Sequence, residues 1–146
     1  MKTRPPIDEL RRIYAETKTI AVVGASPDPT KYANVVPEYL RSQGYRIIPV
    51  NPGHDEILGE KAYPTLLDIP EPVDVVEVFR PAEDAPEVAT NAAAIGAKVL
   101  WLQLGIVSEE AGQIALDAGM TVVMDRCMGQ MHAVLGLGPG PHANSM

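Results

Sequence analysis

The chain has 146 residues, 46% apolar and 21% charged, which is typical of one globular domain rather than a disordered segment. Its net charge of −7 and the lack of a basic run argue against a nucleic-acid partner, because that binding depends on phosphate neutralisation. No apolar run approaches the ~20 residues that cross a bilayer, and the single cysteine fits a reducing compartment. We therefore expect no membrane association and a cytoplasmic location.

Strand-like and helix-like segments alternate along the chain. Apolar, β-branched runs predict the strands, and Pro or Gly residues mark most of the element ends. The predicted elements, in chain order, are a helix over 7–14, a strand over 19–23, a helix over about 34–43, a strand over 46–50, a strand over 74–79, a helix over about 82–95, a strand over 99–102, a helix over 109–118, a strand over 121–124 and a short helix over about 128–135. Residues 136–146, rich in Gly and Pro, are expected to form a flexible tail.

The predicted strands are almost wholly apolar instead of alternating, which is typical of parallel strands covered by helices on both faces. Five such strands linked by helices predict an α/β fold: a doubly wound, Rossmann-like parallel sheet in three layers, forming one domain over 1–135. Right-handed crossovers favour the strand order 3-2-1-4-5. That order places the ligand crevice between the first and fourth strands.

Small, polar or turn-forming residues follow four of the predicted strands, and all of these strand ends lie at the same edge of a parallel sheet. These clusters are Gly24-Ala25-Ser26, Asn51-Pro52, Phe79-Arg80-Pro81 and Gln103-Leu104-Gly105. Free backbone N–H groups between a strand and the following helix attract phosphate, because the peptide dipoles align there. The first cluster therefore predicts a site for a phosphate-bearing ligand.

The loop after the first strand departs from the common nucleotide motifs. The NAD fingerprint needs three spaced glycines and an acidic residue about twenty positions later. This loop has one glycine, Gly24, and the second strand ends in Val50-Asn51 with no acidic residue before Asp55. No Gly-Lys-Ser/Thr sequence of a P-loop occurs. A nicotinamide-binding module used as a redox sensor is thus an alternative with little support.

Several short segments together resemble a known family. They are the Val-Val-Gly-Ala-Ser-Pro run at 22–27, Gly-Tyr-Arg-Ile-Ile-Pro-Val-Asn-Pro at 44–52, Ile-Leu-Gly-Glu-Lys-Ala-Tyr-Pro-Thr-Leu at 57–66, Val-Phe-Arg-Pro at 78–81, Trp-Leu-Gln-Leu-Gly-Ile at 101–106 and Asp-Arg-Cys-Met at 125–128. In this order they resemble the small, stand-alone CoA-binding proteins, which are similar to the N-terminal domain of the succinyl-CoA synthetase α subunit. The likeness covers about residues 10–135 and implies a Rossmann-like domain that binds coenzyme A.

The resemblance also implies a set of binding residues. Backbone N–H groups of the Gly24-Ala25-Ser26 segment, in the loop that continues into Pro27, would cradle the pyrophosphate. Val50, Asn51 and Pro52 would border the adenosine end, and the rest of the cleft would be lined by Phe79, Arg80, Pro81 and Gln103. Charge considerations add Lys31, because a ligand with several phosphates favours a nearby cation.

The same resemblance implies no chemistry by this chain alone. The synthetase uses a phosphohistidine from another domain, and none of His54, His132 and His142 lies in a matching segment. The histidines and the cysteine show no metal-ligand spacing. We therefore expect non-catalytic binding of coenzyme A or an acyl-CoA by a monomer or weak homodimer. The alternatives are the nicotinamide module and an interaction protein with a vestigial nucleotide cleft.

Cys127 follows the fifth predicted strand, at the edge of the sheet where the cleft is expected. Such a residue is either a small buried hydrophobic side chain or a reactive thiol. In the second case it would meet the CoA thiol as a disulfide partner or redox sensor.

Overall fold

The structure is a computed structural model that describes residues 2–139. Helices and strands alternate through most of this range. The helices are α1 (Ile7–Glu16), α2 (Tyr32–Ser42), α3 (Ala85–Ala94), α4 (Glu109–Asp117) and α5 (Met128–Val134). The strands are β1 (Thr19–Val23), β2 (Arg46–Val50), β3 (Glu56–Ile57), β4 (Glu60–Lys61), β5 (Val75–Val78), β6 (Val99–Leu102) and β7 (Thr121–Val123), and single 3₁₀ turns cover Leu66–Asp68 and Ala82–Asp84.

Five strands form one parallel sheet in the order β2-β1-β5-β6-β7. The predicted fold class, a Rossmann-like parallel sheet with helices on both faces, is confirmed. The strand order within it differs from the expectation. Numbered along the chain, the five strands run 2-1-3-4-5 and not 3-2-1-4-5, because β5 pairs with β1 on one side and with β6 on the other. The crevice at the reversal of winding therefore lies between the first and third of these strands.

Pro49 gives a physical reason for this order. Proline has no N–H group for a ladder, so a strand that contains it is best placed at the edge of a sheet. In β2, Pro49 faces Val22 of β1 on one side, and its carbonyl accepts a hydrogen bond from Tyr63 N at 3.0 Å. The segment around Tyr63, which follows the β3-β4 hairpin, covers the exposed edge of β2 through this bond and a bridge to Val50. The third strand of the sheet, β5, therefore pairs with the other side of β1 and not with this edge of β2.

Helices cover the sheet on both faces. Small residues of α3 and α4, such as Ala89, Ala92 and Ala115, pack against one face together with Val76 and Leu100. On the other face α1, α2 and α5 pack over larger side chains, including Trp101. The sheet is thus the middle of three layers, and only its edges and strand ends are open to ligands.

The end of the chain is described only in part. Residues 140–146, most of the predicted tail, lie outside the described residues, and Leu137 packs against the core on the α1/α2/α5 face. No helix within residues 2–139 is both long enough and apolar enough to cross a membrane.

Candidate functional site

The carboxyl ends of β1 and β5 meet in a narrow ridge formed by Gly24, Phe79 and Arg80. Gly24 has φ +89°, a conformation that favours glycine. A Cβ atom at this position would lie 3.0 Å from Arg80 Cδ and 3.2 Å from the Phe79 carbonyl oxygen. Phe79 N donates to Val23 O at 2.9 Å and holds the two strand ends together. The close approach of the β1 and β5 ends therefore depends on the absence of a side chain at Gly24.

On the α3 side of the ridge lies a polar cleft of about 410 Å³, here called the α3-side cleft. Its described lining comes from the ends of β1, β2 and β5 and from the start of α3: Val23, Gly24, Val50, Asn51, Pro52, Pro64, Arg80, Asp84, Glu87 and Val88. Arg80 is the one cationic residue in this lining, and its Nη2 donates to Asp84 Oδ2 at 2.9 Å. The pair is partly exposed, so it is a weak ion pair that a stronger anion can replace.

On the opposite face of the sheet lies an apolar cleft of about 430 Å³, here called the α2-side cleft. None of its described lining residues is charged; they are Tyr32, Val35, Val36, Phe79, Gln103, Leu104, Ile106, Cys127 and Gln130. Its rim carries large apolar side chains in contact with solvent, with Tyr32 78% and Leu104 62% exposed. Because successive residues point to opposite faces at a strand end, Phe79 lines this cleft while Arg80 lines the other.

Gln103 supplies a polar side chain to the lining of the α2-side cleft. Its side chain is buried, with the residue only 5% exposed, and Oε1 accepts a hydrogen bond from Met128 N at 3.3 Å. That bond fixes the carboxamide and turns its Nε2 group away from Met128. Within residues 2–139 no hydrogen-bond partner is found for Nε2. A ligand carbonyl in this cleft would supply the missing acceptor.

The backbone amides after β1 are less available than the sequence predicts. Gly24 N donates to Val50 O at 3.0 Å and Ser26 N donates to Ala33 O at 3.1 Å, so both groups are already used inside the fold. Among the described residues, the Ala25 amide has no such partner. In this conformation the loop uses two of the three amides to hold its own shape, and the predicted pyrophosphate cradle stays a prediction.

The start of α2 offers further donors beside that loop. In the described part of the chain the amides of Tyr32 and Ala33 have no acceptor, whereas Asn34 N donates to Lys31 O at 2.9 Å. The N-cap residue, Lys31, makes no side-chain cap. Asn34 ties this end of the helix to the loop, since its Nδ2 donates to Ser26 O at 2.8 Å. The Lys31 side chain is exposed and lies in neither cleft lining. Its predicted contact with a ligand stays a prediction.

The predicted site residues divide between the two clefts. Five of them, Gly24, Val50, Asn51, Pro52 and Arg80, line the α3-side cleft, and two, Phe79 and Gln103, line the α2-side cleft. The others, Ala25, Ser26, Pro27, Lys31 and Pro81, belong to neither lining. Asn51 supports the first loop from below, because its Nδ2 donates to Ala25 O at 2.9 Å.

Asp84 and Glu87 line the α3-side cleft and were missed by the sequence reasoning. Their spacing from Arg80 could have indicated this position. Asp84 and Glu87 follow Arg80 by four and seven residues across the start of a helix, and this spacing places all three on one face. The cleft therefore combines one cation with two carboxylates, and an anionic ligand must compete with Asp84 for Arg80.

The two histidines in the described part of the chain, His54 and His132, line neither cleft, and His142 lies outside the described residues. His54 is exposed, whereas His132 is fully buried among the rings of Tyr14, Tyr39 and Tyr45, with Nδ1 2.8 Å from Tyr39 Oη. Burial lowers the pKa of His132, so its neutral form is favoured. No group of three or more residues able to hold a metal ion is found within the described part of the chain.

Comparison with known proteins identifies a matching family and several similar proteins. A family model described as a CoA binding domain matches residues 18–133. The uncharacterized protein YneT of Bacillus subtilis is 44% identical over 130 residues, covering 89% of this chain and 96% of YneT. A hypothetical protein from Pyrococcus horikoshii has a solved structure with a TM-score of 0.89 and 42% identity, covering 94% of this chain and 99% of that one.

The chain is also similar to one end of larger enzymes. It is 39% identical over 106 residues to the ADP-forming acetate–CoA ligase II of Archaeoglobus fulgidus, a match that covers 71% of this chain but only 16% of the ligase. The match to a ligase therefore concerns a small part of a much longer protein.

Proposed function

Because this chain belongs to the family of CoA-binding domains, we propose that it binds coenzyme A or an acyl-CoA reversibly, without catalysing a reaction on it. One observation carries the proposal. A single ridge at the reversal of winding separates a polar cleft from an uncharged, apolar one. Coenzyme A has the same division, with a highly charged nucleotide at one end and a long, uncharged arm ending in a thiol at the other.

The nucleotide half fits the α3-side cleft. Its phosphates need donors, and the Arg80 guanidinium is the cationic donor of this lining. The Ala25 amide, in the loop after β1, is a further donor without a partner among the described residues. In the proposed complex Arg80 exchanges Asp84 for a phosphate group. Such an exchange is favourable because a phosphate carries more charge than a carboxylate and accepts more hydrogen bonds.

The pantetheine arm crosses the ridge above Gly24 and enters the α2-side cleft. The arm contains two amide groups, and Gln103 Nε2 is a donor for one of their carbonyls. Apolar contact with Phe79 and Val36 supports the methylene and dimethyl parts of the arm. The thiol or thioester end then lies on the side of the cleft formed by α5.

We assign binding rather than catalysis because the likeness to the ligase covers a small part of that enzyme. The chain matches YneT over nearly all of that protein's length, so a unit of this size also occurs without the rest of a ligase. Neither described cleft lining contains a histidine, and none of the described residues that line the α2-side cleft carries a charged group that could act as acid or base.

Thermal unfolding with a panel of ligands tests the proposal. We expect coenzyme A and acetyl-CoA to raise the melting temperature, because a ligand that binds only the folded chain stabilises it by mass action. Dephospho-CoA should stabilise less, since it lacks one phosphate. A larger shift with NAD than with coenzyme A would instead favour a nicotinamide-binding module. No shift with any member of the panel would favour an interaction protein with a vestigial cleft.

The Arg80–Asp84 pair gives a second, directional test. We expect Arg80→Ala to weaken coenzyme A binding by about tenfold or more, the loss of one charged hydrogen-bond donor. Asp84→Asn should strengthen it by about two- to fivefold, because Arg80 is no longer held by a carboxylate. Isothermal titration calorimetry measures both effects.

The neighbouring exposed acid Glu83 supplies the matched control for Asp84→Asn. Glu83→Gln changes the net charge by the same amount, but Glu83 does not line the cleft. We expect it to leave the affinity nearly unchanged. Equal gains from Asp84→Asn and Glu83→Gln would indicate a general charge effect and contradict a specific role of the pair.

A further inference from the structure

Cys127 lies at the end of the α2-side cleft formed by α5. It is the chain's single cysteine and is partly exposed, and its side chain lines the cleft together with Phe79 and Gln103. The thiol sulfur accepts a hydrogen bond from Gln130 N at 3.4 Å. Asp125 fixes the segment before it, since its Oδ1 accepts from Gly105 N at 2.7 Å. The thiol therefore has a defined position at the surface of the cleft.

A second observation points to a ligand beside this thiol. Gln103 is 5% exposed, and its Oε1 is held by the amide of Met128, the residue that follows Cys127. Its Nε2 group has no hydrogen-bond partner in the described part of the chain, and Gln103 lines the same cleft as Cys127. Because Nε2 is not fully buried, water reaches it in the absence of a ligand, and a ligand carbonyl can replace that water as its acceptor. Gln103 and Cys127 thus line one cleft, where a single bound molecule can contact both the donor and the thiol.

We propose that Cys127 is a site of reversible covalent modification by coenzyme A. The reaction is thiol–disulfide exchange with coenzyme A disulfide or another mixed disulfide of coenzyme A. The Cys127 thiolate attacks the sulfur of the bound CoA half, a new S–S bond forms, and the old S–S bond breaks. The other half leaves as a thiolate and takes up the proton lost by Cys127. No additional oxidant is required, and an excess of a small thiol reverses the reaction.

This inference rests on the proposed function, because binding the nucleotide half holds the disulfide beside Cys127. A tethered reactant has an effective concentration in the millimolar range. At micromolar disulfide, exchange with coenzyme A disulfide should therefore be about 100-fold faster than exchange with glutathione disulfide, which lacks the nucleotide. After unfolding in urea the two disulfides should react with Cys127 at similar rates.

Intact-mass measurement of the full chain under non-reducing conditions tests the proposal. The reduced protein is mixed with coenzyme A disulfide or with glutathione disulfide, and the fraction carrying one adduct is followed with time. We expect one CoA adduct, removed by dithiothreitol and absent in Cys127→Ser. Serine is a good helix N-cap, so this variant should keep the fold, and its melting temperature without ligand should stay close to that of the wild type. Gln103→Glu keeps the acceptor for Met128 N but loses the donor, and should slow the CoA exchange by about tenfold without slowing the glutathione exchange.

The outcomes separate the two proposals. If coenzyme A raises the melting temperature but coenzyme A disulfide reacts no faster than glutathione disulfide, the covalent site is wrong and the binding function stands. If coenzyme A gives no stabilisation and neither disulfide is preferred, both proposals fail. A product that is a disulfide-linked dimer of two chains, with no CoA adduct, would also overturn the modification site.

Discussion

Gly24→Ala is expected to lower the affinity for coenzyme A by at least about tenfold, with a loss of about 1–3 kcal/mol in the free energy of unfolding. Two effects act together. The positive φ of +89° becomes strained with any L side chain, and the new Cβ atom would lie 3.0 Å from Arg80 Cδ and 3.2 Å from the Phe79 carbonyl. The Arg80 side chain or the β5 end must then move, and both form the ridge that the ligand crosses in the proposed complex. Calorimetric titration and urea unfolding measure the two losses.

Gly96→Ala is the matched control for this prediction. Gly96 also has a positive φ, +74°, but an added Cβ atom would meet nothing within 4 Å. It precedes β6 at the amino edge of the sheet, away from both clefts. We expect a similar backbone strain, about 1–2 kcal/mol, and unchanged affinity. If Gly24→Ala also left the affinity unchanged, the ridge would not be part of the binding site.

Much of the fold follows from sequence patterns that act locally. Apolar runs such as Ile20–Val22 and Val99–Leu102 are too short for helices and too apolar for an exposed strand, so a buried parallel sheet was predictable. The order of the strands was not obtained, because the handedness of crossovers permits more than one order. The lack of an N–H group at Pro49 was the signal that would have put β2 at the edge.

The site was predictable from the sequence only in part. Parallel strands end at one edge, so clusters such as Asn51-Pro52 and Phe79-Arg80 were found from the strand ends alone. Two features of the site depend on the three-dimensional structure and could not be predicted from the sequence. Consecutive residues Phe79 and Arg80 serve separate clefts, and the amides of Gly24 and Ser26 are used by Val50 and Ala33. Which partner a loop amide finds depends on contacts between distant segments, which a local pattern does not contain.

Glu77 is the least expected residue of the sheet. It lies in the central strand β5, is fully buried, and neither carboxyl oxygen has a hydrogen-bond partner among the described residues. It shares a sheet face with Phe79, two residues later, and therefore lies beneath the α2-side cleft. Burial raises the pKa of Glu77 from its ordinary value to about 8. The charged form is disfavoured because it has lost water and gained no partner.

This raised pKa couples stability to pH. Between about pH 4.5 and pH 8 the folded chain keeps a proton on Glu77 that the unfolded chain releases, so stability falls as pH rises and levels off above about pH 8. His132 acts in the opposite sense. Burial lowers its pKa, so its contribution is present above its ordinary value of 6.5 and is lost as pH falls. A comparison of variants is therefore needed to isolate Glu77.

Glu77→Gln is expected to gain stability relative to the wild type as pH rises from 5 to 8, by on the order of 3 kcal/mol. The glutamine cannot ionise, so only the wild type bears the growing cost of a buried charge, while the His132 contribution cancels between the two proteins. Urea unfolding at pH 5, 6, 7 and 8 measures the difference. Glu71→Gln is the control: Arg46 holds the pKa of Glu71 below its ordinary value, so that carboxylate stays ionised in both states over this range. Its difference from the wild type should not change with pH. A flat difference for Glu77→Gln as well would show that Glu77 is ionised or hydrated inside the fold.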